Sequence, residues 1–132
     1  MEEQFKHGLL WQDHQHSQLL TCIESLNKTR STKLELTELE NAIRFLEFYV
    51  KTHFEMETYY MQELNYPDTF NHQKAHEQFV RMLTSFKAKV ETITDSSTII
   101  TELCNWVMDH ILKTDKKLAD FIKHQAGKGL QL

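Results

Sequence analysis

The sequence predicts an all-α, up-down-up-down antiparallel four-helix bundle with a dinuclear metal site in its core. Three observations predict it. One proline and three glycines in 132 residues are too few for a fold built from many tight turns. Apolar residues recur at helical spacing in four stretches joined by short polar connections. Each of the four stretches also places histidine or carboxylate on its otherwise apolar face. The length suits one domain with a sizeable core, so residues 1–132 are read as a single domain. It would have a short N-terminal arm over about 1–11 and a frayed tail over about 125–132.

The first helix is expected from about Asp13 to Lys28, with Asp13 as N-cap or first-turn acid. Its stripe is His16, Leu19, Leu20, Ile23 and Leu26, and Thr29–Thr32 reads as a loop. The second helix opens on Thr32-Lys33-Leu34-Glu35, which has capping-box spacing. Leu39, Ile43, Leu46, Val50, His53, Glu57, Tyr60 and Leu64 share its inner face, and Asn65-Tyr66-Pro67 ends it because proline cannot continue a helix. The third helix runs from Asp68 or Thr69 to about Glu91, with His72, His76, Phe79, Leu83, Phe86 and Val90 inward. Thr94–Thr98 is the next connection. The fourth helix carries Leu103, Trp106, Val107, His110, Ile111 and Leu118 and fades at Gly127 and Gly129.

The informative residues are the polar ones on these stripes. His53-x-x-x-Glu57 and His72-x-x-x-His76 each place two side chains one turn apart on one helix face. His16 comes from the first helix, and His110 and Asp115 from the fourth. Burying five histidines and two carboxylates without partners would cost several kcal/mol each; a shared metal site removes that cost. His110 and Asp115 are five apart, which on an ideal helix leaves them about 140° beyond a full turn. A widened, π-type turn between them is therefore expected. His14 cannot share a face with His16, His7 precedes the first helix, and His124 lies near the frayed end; all three are expected to face solvent.

Other classes are disfavoured. Net charge is −4 with lysines dispersed, so nothing suggests nucleic acid or an anionic membrane surface as partner. No apolar run reaches the length of a membrane span. The start, Met1 to His7, lacks a signal peptide's apolar core, and the expected address is cytoplasmic. Cys22 and Cys104 are isolated and are expected to be reduced packing residues.

Imidazole and carboxylate ligands suit iron, zinc, copper or manganese, and seven side chains exceed one octahedron. The glutamate of a His-Glu-x-x-His zinc protease is absent from His72-Gln73-Lys74-Ala75-His76. The ferritin-like pattern of glutamates with Glu-x-x-His is absent too. A nitrogen-rich di-iron site is the best chemical match.

Four ordered motifs also resemble those of the hemerythrin family, in particular its single-domain bacterial members. They are Asp13-x-Gln15-His16-x-x-Leu19, His53-Phe54-x-x-Glu57, Tyr66-Pro67 ahead of His72-x-x-x-His76, and Trp106-x-x-x-His110-Ile111-x-x-x-Asp115, together spanning about Gly8 to Asp115. The resemblance implies two oxo- or hydroxo-bridged iron ions. His72, His76 and His110 would hold one and His16 and His53 the other, with Glu57 and Asp115 bridging. One position would stay open on the two-histidine iron, where dioxygen binds in the family. The implied function is reversible dioxygen binding for carriage, storage or delivery, without catalysis. The alternatives are an oxygen or redox sensor acting through a separate partner, or a peroxide or nitric oxide reductase. Two departures stand out. Val107 occupies a place the family often fills with leucine near bound dioxygen, which implies a wider pocket and faster autoxidation. The arm is shorter than is usual, and Phe5 is expected to cover the bundle in place of the usual tryptophan, with Trp11 just ahead of the first motif. Trp106, Ile111, Tyr60 and Phe79 are otherwise expected as core.

Overall fold

The computed structural model describes residues 2–92 and 95–127. These residues form α1 (Leu10–Lys28), α2 (Glu35–Glu63), α3 (Thr69–Val90), α4 (Ser97–Asp109), a π-helical segment (His110–Asp115) and α5 (Lys116–Ala126), preceded by a 3-10 turn at Glu3–Phe5. The backbone stays helical through both ends of the π segment, so α4, the π turn and α5 form one rod. Four rods result, and there is no strand among the described residues. Lys87 of α3 pairs with Glu47 of α2, while His72 and His76 meet Glu57, so these helices run antiparallel. Gln12 and Gln15 of α1 meet Glu57 and His53 in the same sense. Lys117 reaches Asp68, His110 lies against His76 and Trp106 against Phe79, which makes the last rod antiparallel to α3. Among the described residues, no helix is long and apolar enough to cross a membrane.

The helix ends differ in detail from the sequence reading. α1 begins at Leu10, one turn before Asp13, and Asp13 caps nothing in its own helix. Its carboxylate accepts the backbone N–H groups of His7 (2.7 Å) and Gly8 (3.1 Å), folding the arm back onto the first turn. Gly8 makes that bend at φ 90°, a left-handed conformation that side chains disfavour. The capping box is shifted in register. Glu35 accepts from Ser31 rather than Thr32, and the Thr32 hydroxyl accepts from Leu34, so the helix starts at Glu35. α2 ends in a Schellman motif before the proline is reached. Asn65 is left-handed (φ 51°), its N–H meets the Gln62 carbonyl, and the Tyr66 N–H meets that of Met61. Met61 and Tyr66 supply the accompanying apolar contact. The Thr94–Thr98 connection falls partly, and the expected tail fraying mostly, outside the described residues; Gln125 and Ala126 are still helical.

Two apolar clusters fill the interior. The larger holds Leu19, Ile23, Leu46, Val50, Phe79, Leu83, Ile100, Leu103, Val107 and Ile111, among others, and includes Phe5 from the arm. The smaller holds Leu9, Met61, Tyr66, Leu118, Ala119 and Ile122, with Trp11 stacked on Tyr60 at its edge. On α1 and α2 the polar inward residues lie between these clusters, and on the other rods they lie at the border of the larger one, so the site is a polar layer with hydrocarbon above and below. Cys22 and Cys104 are both free.

Candidate metal centre

All seven sequence-derived candidates converge in that layer. His16, His53, Glu57, His72, His76, His110 and Asp115 are buried, with Glu57, His16 and Asp115 entirely so. Each histidine turns Nε2 toward a carboxylate. His16 and His53 lie 2.7 and 3.4 Å from Asp115 Oδ2. His72 and His110 lie 3.2 and 3.0 Å from Asp115 Oδ1. His72 and His76 lie 3.2 and 3.0 Å from Glu57 Oε1, and His53 lies 3.5 Å from it. Asp115 therefore has one oxygen on the His16–His53 side and the other on the His72–His110 side.

The π turn makes this possible. Widening one turn brings Asp115 back to the face of His110, five residues before it, and the extra residue is accommodated without breaking the rod. Neighbouring rings hold the imidazoles. Phe54 stacks on His76 with centroids 3.6 Å apart, and Phe79, Trp106 and His110 form a continuous stack. The His53 Nδ1–H donates to Gln15 Oε1 at 2.6 Å, which fixes the tautomer that leaves Nε2 free to bind.

Hydrogen bonds alone do not satisfy the site. His110 Nε2 and Asp115 Oδ1 are 3.0 Å apart but lack hydrogen-bond geometry, and both are buried without a partner. They are presented side by side, as two ligands of a third atom would be. His16 Nδ1 and His72 Nδ1 are also unpartnered. Among these seven residues, ligand atoms within 4.8 Å of one another fall into two groups. One is Glu57, His72, His76, His110 and Asp115, and the other is His16, His53, Glu57 and Asp115. They overlap only in the two carboxylates. This donor set fits two cations sharing Glu57 and Asp115.

Charge balance points the same way. Burial and the neighbouring Asp115 push the Glu57 carboxyl up, yet the surrounding histidines outweigh them and hold it below its ordinary value. Asp115 is lowered likewise, against its own burial, chiefly by His110. Burial opposes a charged His72, but Asp115 and Glu57 prevail and raise it to about 9; His53 is raised in the same way. Burial wins at His76, which is lowered. Without metal, protons on histidine thus balance the two carboxylates, and metal would replace them.

A small cavity adjoins the site. It offers about 10 Å³ to the centre of a water-sized sphere, room for about one. Leu19, Val50, Phe54, Phe79, Val107 and Ile111 line it, and His53, His110 and Asp115 also border it, though the accessible wall is apolar.

One expectation fails. His7 is not solvent-facing; it is 3% exposed and packs edge-on to His16 with centroids 5.3 Å apart. The Asp13 clamp on the arm carries it inward. His14 and His124 are exposed, as expected. Sequence reasoning also passed over Gln12 and gave Gln15, part of the first motif, no role; both are buried beside the candidate ligands. Gln12 stands four residues before His16 on the same face, a spacing that marks it as inward.

Comparison with known proteins agrees with this geometry. Residues 7–122 match the family model described as the hemerythrin HHE cation binding domain. A bacteriohemerythrin of Stenotrophomonas maltophilia (strain R551-3) is 26% identical over 112 residues, covering 84% of this chain and 72% of that protein. A bacteriohemerythrin of Campylobacter jejuni is 22% identical over 120 residues, covering 88% and 89%. A hemerythrin-like protein of Naegleria gruberi is 30% identical over 105 residues, covering 80% and 77%. With a polar layer of this composition inside four antiparallel helices, and a family match over most of its length, the chain belongs to the hemerythrin family.

Proposed function

We propose that this protein binds dioxygen reversibly at a non-haem di-iron centre, for carriage, storage or delivery rather than for turnover. The observation that carries the reading is the pair of ligand groups that share only Glu57 and Asp115. His72, His76 and His110 would hold one iron, His16 and His53 the other, and the two carboxylates would bridge. When bound, the iron pair supplies the two electrons that dioxygen takes up reversibly. With three histidines on one side and two on the other, the His16–His53 side would have room for an exogenous ligand, and His53 borders the cavity together with His110 and Asp115.

The chain's own residues do the rest. Phe54 and Trp106 fix the planes of His76 and His110. Gln15 holds the tautomer of His53. Leu19, Val50, Phe79, Val107 and Ile111 give the cavity apolar walls, and an apolar pocket with room for about one water-sized sphere offers bulk water few hydrogen bonds. Exclusion of water favours release of dioxygen unchanged over loss of its reduced form.

Gas uptake tests the proposal. Ferrous protein should take up one dioxygen per two iron atoms and return it under argon. Continuous consumption of dioxygen, peroxide or nitric oxide with added reductant would instead establish a reductase.

A further inference from the structure

Beside the seven candidate ligands lies a second, smaller set of buried polar groups with complementary needs. Gln12, wholly buried, lies with Nε2 3.1 Å from Glu57 Oε2 and 3.3 Å from the carbonyl oxygen of Asp115. Both partners only accept, so the atom facing them is the amide nitrogen. The amide oxygen then faces His7 Nδ1 at 3.1 Å and must be met by an N–H. That places the His7 proton on Nδ1 and leaves Nε2 as a lone pair, buried and without a partner. His16 has the opposite need. Without metal, its Nε2–H donates to Asp115 at 2.7 Å; once Nε2 serves as a metal ligand its proton would have to sit on Nδ1, which is also buried and unpartnered. One ring nitrogen each of His7 and His16 and one oxygen of Asp13 lie within 4.8 Å of one another.

We propose that His7 and Gln12 are positioning residues of the metal centre: His7 accepts the outer N–H of His16 and, through Gln12, orients the Glu57 carboxylate. This rests on the di-iron reading above. A histidine ligand's second nitrogen almost always has such a partner, which fixes its ring and raises its basicity. A third metal ion at His7, Asp13 and His16 is the weaker reading. Both Asp13 oxygens already accept backbone N–H groups, and His16 Nε2 is committed to the Asp115 side. The arm is built to deliver His7: Asp13 clamps it, Gly8 bends it at φ 90°, and Phe5 anchors it in the core. Neither His7 nor Gln12 lines the cavity, so the pair acts through Glu57 and His16 and does not touch whatever occupies it.

The test uses the iron-loaded full chain and two readouts, the rate at which a chelator removes iron and the visible and resonance Raman bands of the ferric azide form. His7→Phe and Gln12→Leu are expected to speed iron removal about tenfold or more, in line with lost outer partners, and to shift the bands. His7→Gln, which can still donate to Gln12 and accept from His16, should restore both. Gln12→Glu keeps the volume but sets an acceptor against Glu57, and should move the bands furthest. Circular dichroism confirms that each variant is helical. Wild-type removal rates and bands in all variants would overturn the proposal and leave the site reading standing. A wild-type chain that takes up no iron would overturn both, and three metal ions per chain would overturn the proposal in favour of a separate site.

Discussion

Replacing Val107 with leucine adds one methylene at a wall of the cavity, where Val107 is 3% exposed. The space is about 10 Å³ to sphere centres, so the added carbon removes room for one water-sized occupant. Two consequences follow with separate magnitudes. Filling a void with one buried methylene stabilises by about 0.8 kcal/mol, which for a chain of this size raises Tm by about 3 °C. Overpacking would instead cost about 1–3 kcal/mol, so the sign of the Tm change reports whether the void exists. In the iron form, keeping one water from the open position should raise the barrier to autoxidation by roughly 1.4 kcal/mol, a tenfold longer lifetime in air. The assay is thermal unfolding of the metal-free variant beside the decay of the oxygenated visible spectrum. A lower Tm with an unchanged decay would refute the reasoning at both steps.

Other expectations concern the metal, pH and backbone. Removing iron should lower Tm markedly, because five imidazoles and two carboxylates then share one buried layer with only protons for balance; equal Tm for both forms would contradict this. Loading metal at pH 7 should release protons, including the one on His72 that the carboxylates hold up to about 9, and a weakly buffered titration with a pH indicator reads it directly. In the metal-free protein, Glu57 and Asp115 are lowered, so their stabilisation is present above about pH 5 and is lost as pH falls through the carboxylate range. His72 is raised, so its contribution is full below about pH 6.5 and is lost as pH climbs through about 9. Urea midpoints should therefore fall on both sides, and a flat profile from pH 5 to pH 9 would count against this charge arrangement. Asn65→Ala should cost about 1 kcal/mol, because alanine lacks the local hydrogen bonding that eases φ 51°, while Asn65→Gly should be neutral or stabilising by urea denaturation.

Much of this was legible in the sequence because helical periodicity and metal-ligand spacing reinforce one another. His53 with Glu57 and His72 with His76 declare a face by themselves, and their apolar neighbours say that the face is inward. Even the irregular turn was legible, since His110 and Asp115 cannot share a face on a regular helix and the π segment supplies the missing rotation. What escaped was set by backbone that has no period. His7 lies in an arm whose course depends on a side-chain clamp from Asp13 and a left-handed glycine, neither of which shows in a hydrophobic pattern. Gln12 was readable at four residues before His16, but a lone glutamine on a stripe suggests nothing until its partners, Glu57 and Asp115, are known. The helix ends moved for a similar reason. Tyr66 and Met61 close α2 through a local Schellman hydrogen bond and apolar contact that needs the left-handed Asn65, and Ser31 takes the hydrogen bond that the capping-box pattern assigned to Thr32.

The most direct measurement is iron-edge anomalous diffraction from crystals of the iron-loaded protein. Two peaks are expected between Glu57 and Asp115, one reached by His72, His76 and His110, the other by His16 and His53 with a position facing the cavity left for an exogenous ligand. A single peak, or two metals not joined by these carboxylates, would contradict the account.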